Sequence, residues 1–220
     1  MDKTFGQADP KLREYIETTY HPEDAVLRDV RRRTREAGLP EIQVGVLDGR
    51  HLTTLAAALG ARRVVEIGTL GGYSGICLLR GTPADGFLHT FELDPHHADV
   101  AAESFRAAGL AGRVRVHVGP AAERLAAIEA EAPFDLVFVD ADKVSYPIYL
   151  DWAARHLRPG GGVLLDNAFL FGELVAEPRG ERAAAIEAMR RTHAELAGSG
   201  RWLATVLPTG EGLAFGVRLG

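Results

Sequence analysis

The chain has 220 residues, of which 46% are hydrophobic, enough apolar material for one sizeable core. Its formal net charge of -5 gives no bulk attraction to nucleic acid or to an anionic membrane surface. No run approaches the roughly 20 apolar residues of a membrane span, and the polar N-terminus lacks a secretion signal. A single cysteine, Cys77, excludes an internal disulfide. We therefore expect one α/β domain in the reducing cytoplasm.

The sequence from Lys11 to Gly38 is charged and helix-prone. His21-Pro22 interrupts it, and proline disfavours helical geometry at the residue before it. We expect two helices, forming an N-terminal extension of residues 1–40 in the same domain as residues 41–220. The second helix carries five arginines: Arg28, Arg31, Arg32, Arg33 and Arg35. We interpret them as part of a solvated helix face; the alternative is contact with a phosphate-bearing substrate or an acidic partner.

The next segments alternate between helix and strand signals. Asp48 or Thr53 is predicted to cap a helix that ends near Gly60, and Arg63 to Gly68 is predicted to form a buried strand that runs into a glycine turn. Such βα alternation predicts a parallel sheet. Four further strands are predicted, each separated from the last by a helical length of chain: Phe87 to Glu92, Val114 to Val118, Leu136 to Asp140 and Gly162 to Asp166.

The C-terminal region departs from this alternation. A helix is predicted near Glu181 to Leu196, followed by strands at Trp202 to Leu207 and Leu213 to Leu219. The tight turn between these strands predicts an antiparallel hairpin. The widest irregular region, about Phe169 to Gly180, is a candidate active-site loop.

The strongest local signal is the segment Glu66 to Ser74, with the sequence EIGTLGGYS, where the first strand gives way to a helix. Glycines there let the backbone approach a ligand at the sheet edge where doubly wound folds bind them. The segment lacks a Gly-x-Gly-x-x-Gly spacing, and Glu66 would repel a dinucleotide pyrophosphate. A cation such as S-adenosylmethionine, with its sulfonium and ammonium groups, suits it better. An ordinary strand-to-helix turn is the alternative.

Glu92 ends the second predicted strand, 24 positions after Gly68. A nucleoside-binding sheet places there the acid that accepts both ribose hydroxyls, so Glu92 is a candidate for that role. The nearby Asp94 is predicted instead to cap the helix that begins near Pro95.

Oxygen-bearing side chains follow two later strands. Asp140 ends one strand, and Asp166-Asn167 ends the other 26 positions later. Adjacent parallel strands would bring all three side chains to one edge of the sheet. Two carboxylates and a carboxamide suit Mg²⁺, Mn²⁺ or Ca²⁺ and do not suit Zn²⁺. Taken alone, such residues are equally consistent with polar strand caps.

Several segments together resemble the cation-dependent O-methyltransferases of the caffeoyl-CoA and catechol type: Glu66 to Ser74, Glu92, residues 140–143 and Asp166-Asn167. Weaker matches agree in order and spacing: Gly119-Pro120-Ala121, residues 158–161 and residues 207–213. The resemblance spans roughly Val44 to the C-terminus. It implies a Rossmann-like class I methyltransferase fold with a seven-stranded, mostly parallel sheet, an antiparallel C-terminal hairpin and helices on both faces.

The resemblance also implies residue roles. Asp140, Asp166 and Asn167 would hold the divalent cation, and Lys143, with Asp140, would be catalytic because it matches a lysine implicated in deprotonating the acceptor hydroxyl; a surface lysine is the alternative. The acceptor would be a small catechol-like molecule and the enzyme a homodimer. The methyl donor, S-adenosylmethionine, would contact nine residues: Val44, Glu66, Gly68, Thr69, Ser74, Glu92, Ala121, Asp140 and Asp142.

Other side chains are given less weight. Tyr146, Tyr149 and Trp152 are spaced by three and are expected to pack in the core, with an aromatic acceptor wall as the alternative. Residues 168–172 are more aromatic than the corresponding family segment, which leaves the acceptor's identity open. The histidines are assigned no role because none shows metal-ligand spacing.

Three other functions remain open. A tRNA hydroxyuridine O-methyltransferase is supported by the arginines alone, and the net charge of -5 opposes it. A nicotinamide-dependent oxidoreductase is supported by the glycine turn and Glu92 but opposed by the position of Glu66. A catalytically silent small-molecule binding protein is the third. The predicted partner is therefore a small molecule, and neither nucleic acid nor a membrane is expected.

Overall fold

A seven-stranded sheet forms the centre of the structure, a computed structural model that describes residues 10–20 and 23–220. The strand order is β3-β2-β1-β4-β5-β7-β6, in which the first five strands are parallel and β7 runs antiparallel to both of its neighbours, β5 and β6. The predicted fold class is therefore confirmed. The strands are β1 (Arg63–Ile67), β2 (Phe87–Glu92), β3 (Val114–Val118), β4 (Phe134–Val139), β5 (Leu157–Leu165), β6 (Trp202–Leu207) and β7 (Leu213–Arg218).

Helices cover both faces of this sheet and bury two apolar layers. Leu52, Ile76 and Phe105 pack in one layer, and Trp152 and Met189 pack in the other. No helix among residues 10–20 and 23–220 is both long and apolar enough to cross a membrane. The helices are α1 (Pro10–Tyr20), α2 (Ala25–Glu36), α3 (Val46–Ala58), α4 (Tyr73–Arg80), α5 (Pro95–Ala107), α6 (Ala121–Arg124), α7 (Tyr146–His156) and α8 (Ala183–Gly198).

The sequence-based boundaries are confirmed for most elements. Asp94 caps α5, since its Oδ1 accepts a 2.7 Å hydrogen bond from the His96 N–H. The predicted cap of α3 was wrong: Gly45 precedes the helix, and Asp48 lies within its first turn. Thr53 lies further along α3, where its hydroxyl lies 2.8 Å from the Cys77 carbonyl oxygen. His21-Pro22, the predicted break between α1 and α2, lies outside the described residues.

The carboxyl ends of β1, β4 and β5 meet at one edge of the sheet. Ile67 is paired with Val139, and Val139 with Leu165. The ladder continues one residue further, because the Asp140 N–H donates to the Ile67 carbonyl at 2.8 Å and the Asp166 N–H donates to the Val139 carbonyl at 2.9 Å. The glycine turn, Asp140 and Asp166 are therefore brought together, as the parallel-sheet prediction requires.

Candidate active site

A cavity of about 790 Å³ opens at this edge of the sheet. Its walls come from the glycine turn, the residues that follow β2 to β5, and the irregular segment 41–44. This volume lies within the range of small-molecule sites. Eight predicted residues line it: Val44, Gly68, Thr69, Ser74, Glu92, Ala121, Asp142 and Lys143. Asp140 and Asn167 line it as well, whereas Glu66 and Asp166 lie behind its surface.

The glycine turn packs directly on the strand end that carries Asp140. Gly68 has a φ of +98°, and a Cβ atom there would overlap the Asp140 carbonyl oxygen. Glycine is thus required at position 68 both because its φ is positive and because no side chain fits beside the Asp140 carbonyl. The turn is fixed from its other side by Glu92, whose Oε2 accepts hydrogen bonds from the N–H groups of Thr69 at 3.2 Å and Leu70 at 2.8 Å.

Glu66 lies fully buried beneath the turn. Its Oε2 accepts a 2.6 Å hydrogen bond from the Thr90 hydroxyl, which lies 2.5 Å from the Thr69 hydroxyl. The other carboxylate oxygen, Oε1, is buried without a hydrogen-bond partner. Burial raises the pKa of Glu66 to about 7, because desolvation disfavours the charged carboxylate.

Lys143 and Asp140 meet where β4 ends. Lys143 begins a short 3-10 helix (Lys143–Ser145), and its Nζ donates to Asp140 Oδ1 at 3.2 Å and to the Tyr146 hydroxyl at 2.6 Å. The Tyr146 oxygen in turn lies 3.1 Å from the Val139 carbonyl oxygen and 3.0 Å from that of Asp166. Lys143 is 13% exposed, so its ammonium is held at the cavity wall rather than in bulk solvent.

Asp166 and Asn167 follow β5 on the adjacent strand. The Asn167 amide nitrogen donates to Asp166 Oδ2 at 3.0 Å, which leaves the amide oxygen available. Burial, and then the charge of the nearby Asp140 carboxylate, raise the pKa of Asp166 well above its usual range. No group of three His, Cys, Asp or Glu side chains suited to a metal occurs among residues 10–20 and 23–220. The predicted cation site contains only two residues of these four types, Asp140 and Asp166, because its third residue is Asn167.

The loop that carries Asn167 is held by the hairpin turn. The Ala168 N–H donates to the Gly212 carbonyl and the Phe169 N–H to the Glu211 carbonyl, both at 2.9 Å. Beyond them, Leu170–Val175 forms a 3-10 helix inside the segment predicted to be irregular. Phe171, with a φ of +56°, and Gly172 have non-helical backbone angles that kink this segment. Phe171 lines the cavity, so the candidate loop does contribute to the site.

Sequence reasoning missed several residues of the cavity wall. His97 lines the cavity with its Nδ1 3.5 Å from Glu92 Oε1, although the histidines had been given no role. Arg182 and the residues from Glu41 to Gln43 also line it. No motif marks these residues, since they reach the site from irregular segments and helix starts. Tyr146, Tyr149 and Trp152 all belong to the buried core, which confirms the preferred interpretation, and Tyr149 also lines the cavity.

Comparison with known proteins agrees with this architecture. The O-methyltransferase family model matches residues 16–219. A catechol O-methyltransferase of Mycobacterium tuberculosis is 42% identical over 168 residues, which cover 76% of each chain. A catechol O-methyltransferase of Niastella koreensis is 37% identical over 195 residues, covering 88% of this chain and 87% of the relative.

Solved structures are similar over nearly the whole chain. An O-methyltransferase of Bacillus cereus in complex with SAH superposes with a TM-score of 0.88 at 34% identity, covering 94% of this chain and 97% of that one. The O-methyltransferase TomG of Streptomyces achromogenes, in complex with SAM, has a TM-score of 0.88 at 36% identity and 96% coverage of both chains. The enzyme class predicted from the sequence is thus confirmed, and the chain belongs to the O-methyltransferase family, whose members transfer a methyl group from S-adenosylmethionine to oxygen.

Proposed function

We propose that this enzyme methylates one hydroxyl of a small catechol-like aromatic acceptor and uses a divalent cation held by Asp140, Asp166 and Asn167. The observation that carries the proposal is the close approach of Gly68 to the Asp140 backbone, with the glycine turn, Asp140 and Asn167 all lining one cavity. A donor lying along the turn would then have its methyl group beside the oxygen ligands. Relatives named catechol O-methyltransferase support the acceptor class.

The donor is proposed to occupy the end of the cavity formed by the glycine turn. Glu92 at the wall is proposed to accept the ribose hydroxyls, and Glu66, buried beneath the turn, supplies a carboxyl group near the place where a sulfonium and an ammonium would lie. A cation bound nearby would favour the ionised form of the Glu66 carboxyl, which burial alone disfavours. The proposed donor contacts are the predicted ones: Val44, Glu66, Gly68, Thr69, Ser74, Glu92, Ala121, Asp140 and Asp142.

The residues at the other end fit a hard divalent cation. Lys143 brings one positive charge close to two carboxyl groups, Asp140 and the buried Asp166. A cation there would offset the repulsion between the two carboxylates, and the free amide oxygen of Asn167 completes an all-oxygen set of the kind that Mg²⁺ prefers. When bound, Mg²⁺ would favour the ionised form of the acceptor hydroxyl, as metal ions do for coordinated water.

The Lys143 side chain that pairs with Asp140 is an ammonium, so Lys143 is proposed to take the proton of the reacting hydroxyl after it has lost its own proton to solvent, and to stabilise the oxyanion while it remains charged. Its Nζ is fixed between Asp140 and Tyr146, so a hydroxyl placed beside Asp140 lies within reach of the amine. Proton transfer to a positioned side chain contributes typically about 10²- to 10⁴-fold in rate. Tyr146 does not line the cavity and acts through Lys143, because its hydroxyl is itself held by two backbone carbonyls.

Aromatic side chains support an aromatic acceptor. Phe171 and Tyr149 line the cavity, and Tyr149 donates a 3.3 Å hydrogen bond to Asp142 Oδ2. The alternative of an RNA acceptor is based on the five arginines of α2, of which Arg32 and Arg33 are paired with acids of their own helix. The homodimer and the cytoplasmic location stay predictions from the sequence.

A transfer assay tests the proposal. The enzyme is incubated with Mg²⁺ and S-adenosylmethionine labelled in its methyl group. One of three acceptors is added: a catechol, the matching monophenol, or full-length tRNA that carries hydroxyuridine. We expect label in the catechol and at least about tenfold less in the monophenol, since one hydroxyl is lost. Transfer to tRNA alone, or equal transfer to catechol and monophenol, would contradict the proposed acceptor class.

A further inference from the structure

Helix α2, in the predicted N-terminal extension, contacts the donor end of the cavity through one partly buried cluster. The Arg31 guanidinium carbon lies 4.4 Å from the centre of the Tyr73 ring, and Arg31 Nη2 donates a hydrogen bond to the Val44 carbonyl oxygen at 3.2 Å. Arg31 also pairs with Glu23, whose Oε1 accepts a 2.7 Å hydrogen bond from the Tyr73 hydroxyl. Arg31, Glu23, Tyr73 and Val44 thus form one connected unit, which we term the α2 clamp.

Two residues of the α2 clamp, Tyr73 and Val44, belong to different walls of the cavity. Tyr73 starts α4 directly after the glycine turn, and Val44 ends the irregular segment 41–44; both line the cavity. Segment 41–44 lies outside every helix and strand, so its position depends on side-chain contacts such as the one from Arg31. The clamp therefore adds polar contacts between the irregular segment and the start of α4 to the apolar packing of the buried Val44 side chain.

A second contact brings α2 against the glycine turn itself. A Cβ atom added to Gly71 would overlap the Thr34 hydroxyl, and Thr34 is buried one helical turn after Arg31. Asp24, the N-cap of α2, pairs with Arg80 at the end of α4 at 2.6 Å. Helix α2 is thus fixed along α4 at both ends, with Arg31 and Thr34 facing the turn.

We propose that helix α2 is part of the methyl-donor site and that Arg31 is a positioning residue, which holds the Val44 wall against the glycine turn for donor binding. The proposal rests on the assignment of this cavity end to the donor. Arg31 does not line the cavity, so it acts through Val44 and Tyr73. Loss of its side chain is expected to loosen the donor wall and leave Lys143 and Asp140 in place.

A matched pair of variants tests this role. Arg31→Ala removes the clamp, whereas Arg32→Ala removes the neighbouring guanidinium of the same helix, which is 53% exposed and pairs only with helix acids among the described contacts. Donor and S-adenosylhomocysteine affinities are measured by calorimetry, and KM and kcat by steady-state assay. We expect the donor Kd and KM to rise about tenfold in Arg31→Ala, as a misplaced wall would cause, with kcat and the acceptor KM near wild type. Arg32→Ala should match the wild type.

Two further variants keep the test decisive. Arg31→Lys retains the charge beside Glu23 and is expected to recover part of the donor affinity, and it replaces Arg31→Ala if the latter does not fold. Tyr73→Phe keeps the ring but loses the bond to Glu23, and should weaken donor binding less than Arg31→Ala. Equal donor affinity in Arg31→Ala and wild type, or an equal rise in both KM values, would overturn the inference. A wild-type enzyme that binds no donor would instead refute the assignment of the cavity.

Discussion

Lys143 Nζ lies 3.2 Å from Asp140 Oδ1, and this contact joins the proposed proton-accepting group to a proposed cation ligand. The two residues come from the end of β4 and from the 3-10 helix that follows it, so the distance is set by a few residues of rigid backbone. The Tyr146 hydroxyl fixes the lysine from its other side at 2.6 Å. The amine is therefore pre-positioned before any acceptor binds.

Replacing Lys143 should affect the chemical step and spare donor binding. In Lys143→Met, which keeps the length of the side chain without its amine, we expect kcat to fall about 10²-fold or more because the proton acceptor is lost. The donor Kd, measured by calorimetry, should stay within about twofold, since Lys143 contacts Asp140 and Tyr146 rather than the glycine turn. Arg155→Met on the exposed side of α7 is the control. A wild-type kcat in Lys143→Met would remove the lysine from the mechanism.

Glu66 should make the stability of the protein depend on pH between about 4.5 and 7. Burial raises its folded-state pKa from 4.5 to about 7, so the folded protein holds a proton that the unfolded chain has lost in this window. The contribution of Glu66 to the free energy of unfolding is therefore largest below pH 4.5 and is lost as the pH rises to about 7, by at most about 3 kcal/mol.

The variant Glu66→Gln isolates this effect, because all other titrating groups, including Asp166, are common to both proteins. Urea unfolding is measured for both at pH 5, 6, 7 and 8. We expect the stability of the wild type relative to Glu66→Gln to fall from pH 5 to pH 7 and then to level off. Parallel curves over the whole range would show that Glu66 keeps its ordinary pKa.

Gly68 should tolerate no side chain. In Gly68→Ala the new methyl group meets the Asp140 carbonyl and the positive φ is strained, so we expect a loss of about 3 kcal/mol or more in stability. Gly60→Ala is the control, because Gly60 also has a positive φ but open space around it, and should cost about 1–2 kcal/mol. Chemical unfolding measures both. Equal losses in the two variants would mean that the strand end adapts to the added atom.

Phe171 should contribute to acceptor binding. In Phe171→Ala we expect the acceptor KM to rise about fivefold, through the loss of an aromatic contact, while the donor Kd is unchanged. Val175→Ala, in the same 3-10 helix but 88% exposed, should leave both constants unchanged. A changed donor Kd in Phe171→Ala would place this side chain at the other end of the cavity.

The sequence predicted those parts of the site that depend on local order along the strands. Glu92, Asp140 and Asp166 follow apolar strands, and the parallel pairing of those strands is enough to bring their ends to one edge. The antiparallel hairpin followed from the family resemblance and the turn at residues 208–212, whereas the order of the strands in the sheet was not predicted.

Long-range contacts could not be predicted in this way. Arg31 was interpreted as part of a solvated face because its neighbours in sequence are charged, yet its guanidinium stacks on Tyr73, 42 positions away. Asp48 was predicted to be a cap because aspartate favours that position, but Gly45 already supplies the extended backbone that starts α3. These contacts depend on packing between segments whose sequences do not indicate that they meet.

The cation requirement tests the central claim most directly. Enzyme stripped with a chelator is assayed with a catechol acceptor while Mg²⁺ is titrated back, in the wild type and in Asp166→Asn, which keeps the shape of the side chain but removes one carboxylate. The account predicts no transfer without the cation, recovery on titration in the wild type, and a Mg²⁺ requirement raised at least about tenfold in Asp166→Asn, with donor binding retained in both. Full transfer in the presence of chelator would contradict it.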